Sequence, residues 1–165
     1  MKVEFLKADA KDLRRLIAFD HAVFLESDWF DTDCWKAYES WWMVVDGIRA
    51  GCCAFEWHAD FQEDLRRDGR NPHLRGSLYI ASTGILPRLQ GKGLGAVLKT
   101  WQIAYAHRYG FTRVVANTRK SNRRMISLNR KFGFKVRRTT RGYYHDPVEA
   151  TVVMELDVAR ASRLD

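Results

Sequence analysis

The residues whose types and spacing most suggest chemistry lie between positions 85 and 96. They read Ile85-Leu86-Pro87-Arg88-Leu89-Gln90-Gly91-Lys92-Gly93-Leu94-Gly95-Ala96. Glycines let a backbone turn tightly and approach a ligand closely, and the N–H groups at a helix start attract phosphate. Arg88 and Lys92 add positive charge to the same loop. Three phosphate-binding patterns compete for it. A Walker loop needs glycine directly before Lys-Ser/Thr, and Leu98 precedes Lys99-Thr100. The spacing Gly91-x-Gly93-x-x-Ala96 fits a dinucleotide fingerprint, but no acidic residue follows until Asp146, where about twenty positions are expected. The third pattern is Gln/Arg-x-x-Gly-x-Gly/Ala, met by Gln90, Gly93 and Gly95. Plain turn and packing glycines remain the bland alternative.

Charge supports an anionic ligand. Of 165 residues, positions 69 to 145 carry 17 basic side chains and no acidic one, while positions 1 to 68 carry 9 basic and 15 acidic. Such a split suits a polyanion, either nucleic acid or a multiply phosphorylated small molecule, or else a solvated basic surface.

A second segment narrows the choice. Asn122-Arg-Arg-Met125-Ile-Ser-Leu128-Asn129-Arg-Lys-Phe132-Gly133-Phe134 follows the glycine loop. With the third pattern above, it resembles the two signatures of the GNAT acetyltransferase superfamily, in the expected order, over about residues 77 to 156. Tyr143-Tyr144, with Met154 ten residues after the second tyrosine, is similar to the tail of protein N-terminal acetyltransferases, the ribosomal-protein alanine type included. The resemblance implies acetyl-CoA as donor and an amine as acceptor, a protein or peptide N-terminus or a small amine, with no metal. Thr83, Gly84 and Ile85 match the strand edge whose backbone holds the acetyl-pantetheine arm. Gln90, Gly91, Lys92, Gly93, Leu94 and Gly95 match the pyrophosphate loop, and Asn122 matches the asparagine on the cofactor arm. The phosphates of CoA then give the basic segment a natural partner.

Two positions depart from the family. The ribosomal-protein type carries a glutamate base where this chain has Asn117, and a tyrosine acid where it has Asn129. Neither amide exchanges a proton near neutral pH. Tyr79, fourteen residues before Gly93, matches a tyrosine that acts through water as base in some N-terminal acetyltransferases. Its alternative is a packed strand aromatic. Glu56 on the preceding strand is a second candidate base. Glu26 and Asp28 fall in the loop that lines the acceptor site in the superfamily, and Tyr143 and Tyr144 are expected to contact the acceptor. His58, His73 and His145 lack ligand spacing and read as loop histidines.

These residues need elements to hold them. Val3 to Leu6 reads as a strand, and Asp9 to about Ala22 as a helix with Leu13, Leu16, Ile17 and Phe24 on one face. A second helix runs from Asp31 through Trp35 and Tyr38. Residues 42–45 and 51–57 flank Asp46-Gly47, a hairpin signal. Residues 58 to 76 read as a loop. Ser77 to Ile85 is a strand, and a helix from Gly93 carries the stripe Leu94, Val97, Leu98, Trp101, Ala104, Tyr105 and closes at Gly110. Arg113 to Thr118 is a strand, Ser121 or Asn122 caps another helix, and Lys135 to Tyr144 and Thr151 to Val158 are the last strands. This order predicts an α/β domain over residues 1–165, with a single mixed, mostly antiparallel sheet flanked by about four helices.

Composition excludes other classes. Apolar runs of a few residues span no membrane, and the N-terminus lacks a secretion-signal pattern, so a cytoplasmic protein is expected. Cys34, Cys52 and Cys53 are too few for a disulfide framework and read as buried reduced thiols. A nucleic-acid-binding module is disfavoured because the basic residues interleave with the cofactor signatures. A non-catalytic acyl-CoA sensor of the same fold stays open, given Asn117 and Asn129. Oligomeric state is not legible.

Overall fold

The computed structural model describes residues 1–57 and 75–161. Among the described residues, seven strands form one sheet in the order β1-β2-β3-β4-β5-β7-β6. Their ranges are β1 Val3–Lys7, β2 Glu39–Val45, β3 Ile48–Trp57, β4 Arg75–Ile85, β5 Phe111–Arg119, β6 Lys135–Tyr144 and β7 Glu149–Asp157. β4 and β5 run parallel; β1·β2, β2·β3, β5·β7 and β6·β7 are antiparallel. Five α-helices occur among the described residues: α1 Leu13–Val23, α2 Thr32–Ala37, α3 Leu94–Arg108, α4 Arg123–Lys131 and the four-residue α5 Val158–Ala161. The last is one more than the sequence suggested. None of the helices is long and apolar enough to cross a membrane. Of the loop expected at 58–76, Arg75 and Gly76 belong instead to β4, and residues 58–74, with His58 and His73, lie outside the described residues.

The chain divides into two compact units, Met1–Glu56 with Ala81–Leu98, and Trp57–Ile80 with Lys99–Asp165. In the first unit, Asp9 opens a short 3-10 turn through a capping box with Asp12, and α1 follows. Phe24, expected on the helix face, is instead the extended residue that ends it. The side chain of Asp31 accepts from the Cys34 N–H and starts α2. Asp46 and Gly47 take φ of 47° and 83°, the left-handed pair that a two-residue hairpin turn needs. Leu16, Phe19, Trp35, Trp42, Val44, Cys52 and Ala54 form the core, with Phe19 edge-on to Trp42 at 5.7 Å.

In the second unit, Leu78, Ile80, Val114, Val115, Met154, Leu156 and Phe134 are buried. Trp57 lies edge-on to Phe111 at 5.2 Å and donates to the Tyr105 hydroxyl at 3.2 Å. The stripe expected on α3 is only partly the buried one. Leu94, Leu98 and Tyr105 are buried, but so are Lys99, Gln102 and Ala106, while Ala104 is exposed. A lysine stem is long and apolar, and the Lys99 ammonium sits 5.1 Å from the centre of the Phe134 ring. Polar residues therefore occupy inward positions that a hydropathy pattern assigns to the outside.

Candidate functional site

In the first unit, β4 ends at Ile85, a 3-10 turn covers Pro87–Leu89, and α3 starts at Leu94. Between them, Gly91 and Gly93 take φ of 77° and 81°. The Gly93 carbonyl accepts from the Ala96 and Val97 N–H groups at 3.1 and 3.3 Å, so Gly93 stands at the helix start. The leading N–H groups of a fifteen-residue helix have no acceptor within it, and its dipole favours an anion there. A Cβ built on Gly93 meets nothing within 4 Å, so the loop faces open space, with Arg88 and Lys92 exposed beside it. Such a turn could hold an anion of the size of a pyrophosphate. Gln90 is exposed and donates through Nε2 to the Ile85 carbonyl at 2.9 Å, which ties the loop to the end of β4.

The strand edge is equally constrained. A Cβ on Gly84 would come within 2.9 Å of Val23 Cγ1 and 3.1 Å of Phe24 Cζ, so glycine lets the end of α1 close on β4. The pairing of β4 with β5 stops at Ile80 opposite Ala116, while β4 runs on to Ile85 through Thr83 and Gly84. Past Phe24 the chain enters the Glu26–Asp28 turn, with Glu26 exposed and Asp28 half-buried. His21 stacks on Trp29 at 3.7 Å, and the Trp29 indole donates to the Phe24 carbonyl at 3.0 Å. Thr83, Gly84 and Ile85 therefore share one neighbourhood with the start of the acidic loop. Glu56 is exposed at the end of β3. Burial, then Cys34, then the charge of Glu56 push the Tyr38 phenol well above its usual range.

The second unit holds a side-chain cluster centred on Asn117. The Tyr79 hydroxyl donates to Asn117 Oδ1. Asn117 Nδ2 donates to the Tyr144 hydroxyl at 3.2 Å and to Thr151 Oγ1 at 3.0 Å. Thr151 Oγ1 in turn donates to the Thr118 carbonyl at 3.3 Å. Strand alternation explains the meeting: Tyr79 is opposite Val115, Asn117 is two residues further on the same face, and Thr151 is opposite Arg119. Tyr144 is held from beneath. The Arg119 guanidinium lies 4.6 Å from its ring centre and donates to the carbonyls of His145 and Pro147 at 2.9 and 2.8 Å. Tyr143 is edge-on to Tyr144 at 4.9 Å and more exposed.

A model of the acetyltransferase (GNAT) family matches residues 10–134. The chain belongs to this family. It is 32% identical over 76 residues to an uncharacterized N-acetyltransferase of Schizosaccharomyces pombe, and that stretch is 46% of this chain and 45% of the yeast protein. The match thus spans about half the length of that relative. Among solved structures, the backbone is similar to Arabidopsis thaliana NAA60 in complex with acetyl-CoA, with TM-score 0.78 and 15% identity over 96% of this chain and 99% of that one. It is also similar to the ribosomal-protein-S18-alanine N-acetyltransferase from Escherichia coli, with TM-score 0.76 and 17% identity over 95% and 94%. At these identities the likeness is one of fold.

In this GNAT chain the two departures from the family pattern have different fates. Asn117 is the hub of the cluster, whereas Asn129 is buried with its Nδ2 on the Met154 sulphur at 3.8 Å. The Asn129 backbone carbonyl accepts from Phe132 and Phe134, so the residue closes α4. Asn122 caps the same helix: its Oδ1 accepts from the Met125 N–H, and its Nδ2 donates to Thr118 Oγ1, both at 3.2 Å. Its side chain stays exposed. None of the three cysteines is in a disulfide; Cys52 and Cys53 are buried, Cys34 is half-buried, and burial pushes the Cys34 and Cys52 thiols up. Sequence reasoning missed Arg119 and Thr151. An arginine among 17 basic residues carries no mark of its role, and a strand threonine reads as ordinary β-structure.

Proposed function

We propose that this GNAT chain transfers the acetyl group of acetyl-CoA to a primary amine of low pKa, such as a peptide N-terminus or a small amine. The observation that carries the reading is the joining of Tyr79, Asn117 and Tyr144 in one hydrogen-bonded cluster, because the family resemblance assigns all three positions to the acceptor side. The glycine loop supports the donor side. Gln90 to Gly95, with Arg88, would hold the pyrophosphate, and the β4 edge at Thr83, Gly84 and Ile85 would hold the pantetheine arm. Acetyl-CoA supplies an activated thioester carbonyl. Backbone N–H groups near Gly84 and Ile85 would stabilise the oxyanion that develops on it.

The acceptor class follows from the proton. An α-amine of pKa ~7.8 costs about 1.1 kcal/mol to neutralise at pH 7, and a lysine amine of pKa ~10.4 costs about 4.6. A site without a strong base favours the first. Glu26 and Asp28 would attract the cationic acceptor, and Tyr143 and Tyr144 would contact it. Glu56, exposed at the end of β3, is the alternative to a site without a strong base, a carboxylate that could serve as base.

A thiol-release assay with acetyl-CoA against peptides, amino acids and polyamines tests this. Free α-amines should outrun N-blocked lysine peptides by about 300-fold at pH 7. Absence of CoA affinity by calorimetry would overturn the reading. CoA binding without thiol release to any amine would favour the sensor, to which the inward-turned Asn129 lends support. Salt-steep RNA or DNA binding without CoA affinity would favour the nucleic-acid reading.

A further inference from the structure

We propose that Asn117 is a positioning residue that fixes Tyr79 as a hydrogen-bond acceptor toward the amine, so that the enzyme takes acceptors already neutral and removes no proton with a base of its own. The inference rests on the acetyltransferase reading above and concerns how its acceptor is chosen.

The argument follows hydroxyl protons through the second unit. Thr151 is buried, and its hydroxyl donates to the Thr118 carbonyl. A hydroxyl has one proton, so toward Asn117 the Thr151 oxygen must accept. The amide of Asn117 therefore faces Thr151 with Nδ2, at 3.0 Å, and this sets its other end. Oδ1 faces Tyr79, which must donate. The second Nδ2 proton goes to Tyr144 Oη at 3.2 Å, so toward Asn117 the Tyr144 oxygen accepts as well. Any further group that meets these phenols meets lone pairs at Tyr79. A carboxylate or an imidazole at position 117 would draw the tyrosine proton off during turnover; an amide does not.

Among the described residues, the charged groups on the same face do not supply a substitute: Glu149 of β7, opposite Tyr144, accepts from the Ser121 hydroxyl at 2.6 Å and N–H at 3.1 Å, which hold its carboxyl below the usual range. Arg119 and Arg113 on β5 carry guanidinium groups, which offer donors and no acceptor. Glu155 on β7 is paired with Arg113 at 4.0 Å and with Arg137 of β6 at 3.3 Å. Arg119 is spent on the His145 and Pro147 carbonyls and on the Tyr144 ring.

In the resulting step, an ammonium first loses a proton to solvent. The neutral nitrogen, with one N–H bonded to Tyr79 Oη, attacks the thioester carbon. The N–C bond forms, the C–S bond breaks, and one amine proton passes through water to the departing thiolate sulphur. Tyr79 begins and ends as a phenol.

The test is the pH dependence of kcat/KM at saturating acetyl-CoA for two acceptors of different amine pKa, a peptide α-amine and an alkylamine. With no base on the enzyme, the midpoint moves with the acceptor, by about 2 pH units or more between amines of pKa ~7.8 and ~10.4. A midpoint shared by both acceptors overturns the inference and leaves the acetyltransferase reading standing. No transfer to any amine would instead remove that reading. A mutant cycle gives a second readout. Asn117→Leu should lower kcat/KM about 10-fold with CoA affinity unchanged, and Tyr79→Phe in that background should add little, because Asn117 acts through the tyrosine. Multiplicative losses in the double variant would overturn the inference. Asn117→Asp, close in shape, should bring in a midpoint common to all acceptors; profiles that still follow each amine would also count against it.

Discussion

The glycine loop of the first unit and the asparagine cluster of the second are built from different material. The loop is made of backbone. The groups it offers an anion are N–H dipoles at a helix start, and its glycines are set apart by what they lack, a Cβ at φ 77° and 81°. The cluster is made of side chains from β4, β5, β6 and β7, joined across sequence separations of 38, 27 and 34 residues. A backbone site tolerates side-chain change so long as the chain can turn. A side-chain site depends on the identity and polarity of each member.

The largest expected effect breaks the backbone site. Gly93→Val forces a β-branched residue into φ +81°, a strain of order 1–3 kcal/mol, and sets its methyls in the open space where a pyrophosphate would approach. CoA affinity should fall at least about 30-fold in calorimetry while circular dichroism stays native. Retained affinity in the folded variant would move the phosphate site elsewhere. In the side-chain site, Tyr79→Phe removes one hydroxyl and leaves CoA affinity unchanged. If the tyrosine accepts from the amine, kcat/KM should drop about 10-fold, the worth of one hydrogen bond. A loss of about 10³ or more would mark it as a base.

Asn129 sharpens the same contrast from the stability side. Its amide is buried against Met154 with Oδ1 unpartnered among the described residues. Asn129→Ala should destabilise by about 1–2 kcal/mol through the space it leaves and leave the kinetics intact. A selective loss of kcat would return Asn129 to the reaction.

This contrast also explains what the sequence could tell. Asp46-Gly47, Asn122 and Gly133 announce a turn, a cap and a helix end because each acts on neighbours in the chain, and each stands where expected. The glycine loop is legible for the same reason. The hub role of Asn117 is not, since it depends on Thr151 and Tyr144, which pleat and register alone bring beside it. Lys99 and Gln102 defeat the hydropathy pattern on α3, because a burial pattern cannot anticipate a lysine stem laid over Phe134. The inward turn of Asn129 is hidden likewise: one position on a short helix decides between the core and the solvent.

Surface charge should matter less. Glu26 is exposed and Asp28 half-buried in the loop after α1, and exposed pairs are worth about 0.2–1 kcal/mol. Glu26→Gln with Asp28→Asn should raise the acceptor KM about 2- to 5-fold, an effect that fades toward 1 M salt, where the Debye length is about 3 Å. CoA affinity should stay unchanged. An unaltered KM would take the acidic loop out of the acceptor site.

The smallest effect concerns the carboxylate that anchors that loop. Asp20 is buried, and its Oδ2 accepts from the Phe30 N–H at 2.9 Å and the Trp35 indole at 3.3 Å. Those bonds favour the charged form, but burial outweighs them and raises the pKa above its ordinary value of 3.8. Between 3.8 and the raised value the folded state holds more protons at this site than the unfolded state. The contribution of Asp20 to stability therefore falls as pH rises through that window, and above the folded pKa the full penalty applies. Asp20→Asn keeps an acceptor for both donors and cannot ionise. All other titrating groups are common to the two proteins and cancel in the difference. The Tm of the variant relative to wild type should thus improve between pH 4 and pH 7, whichever is the more stable at the start. A constant offset across that range would mean that Asp20 titrates alike in both states, and that the hydrogen bonds from Phe30 and Trp35 fully offset its burial.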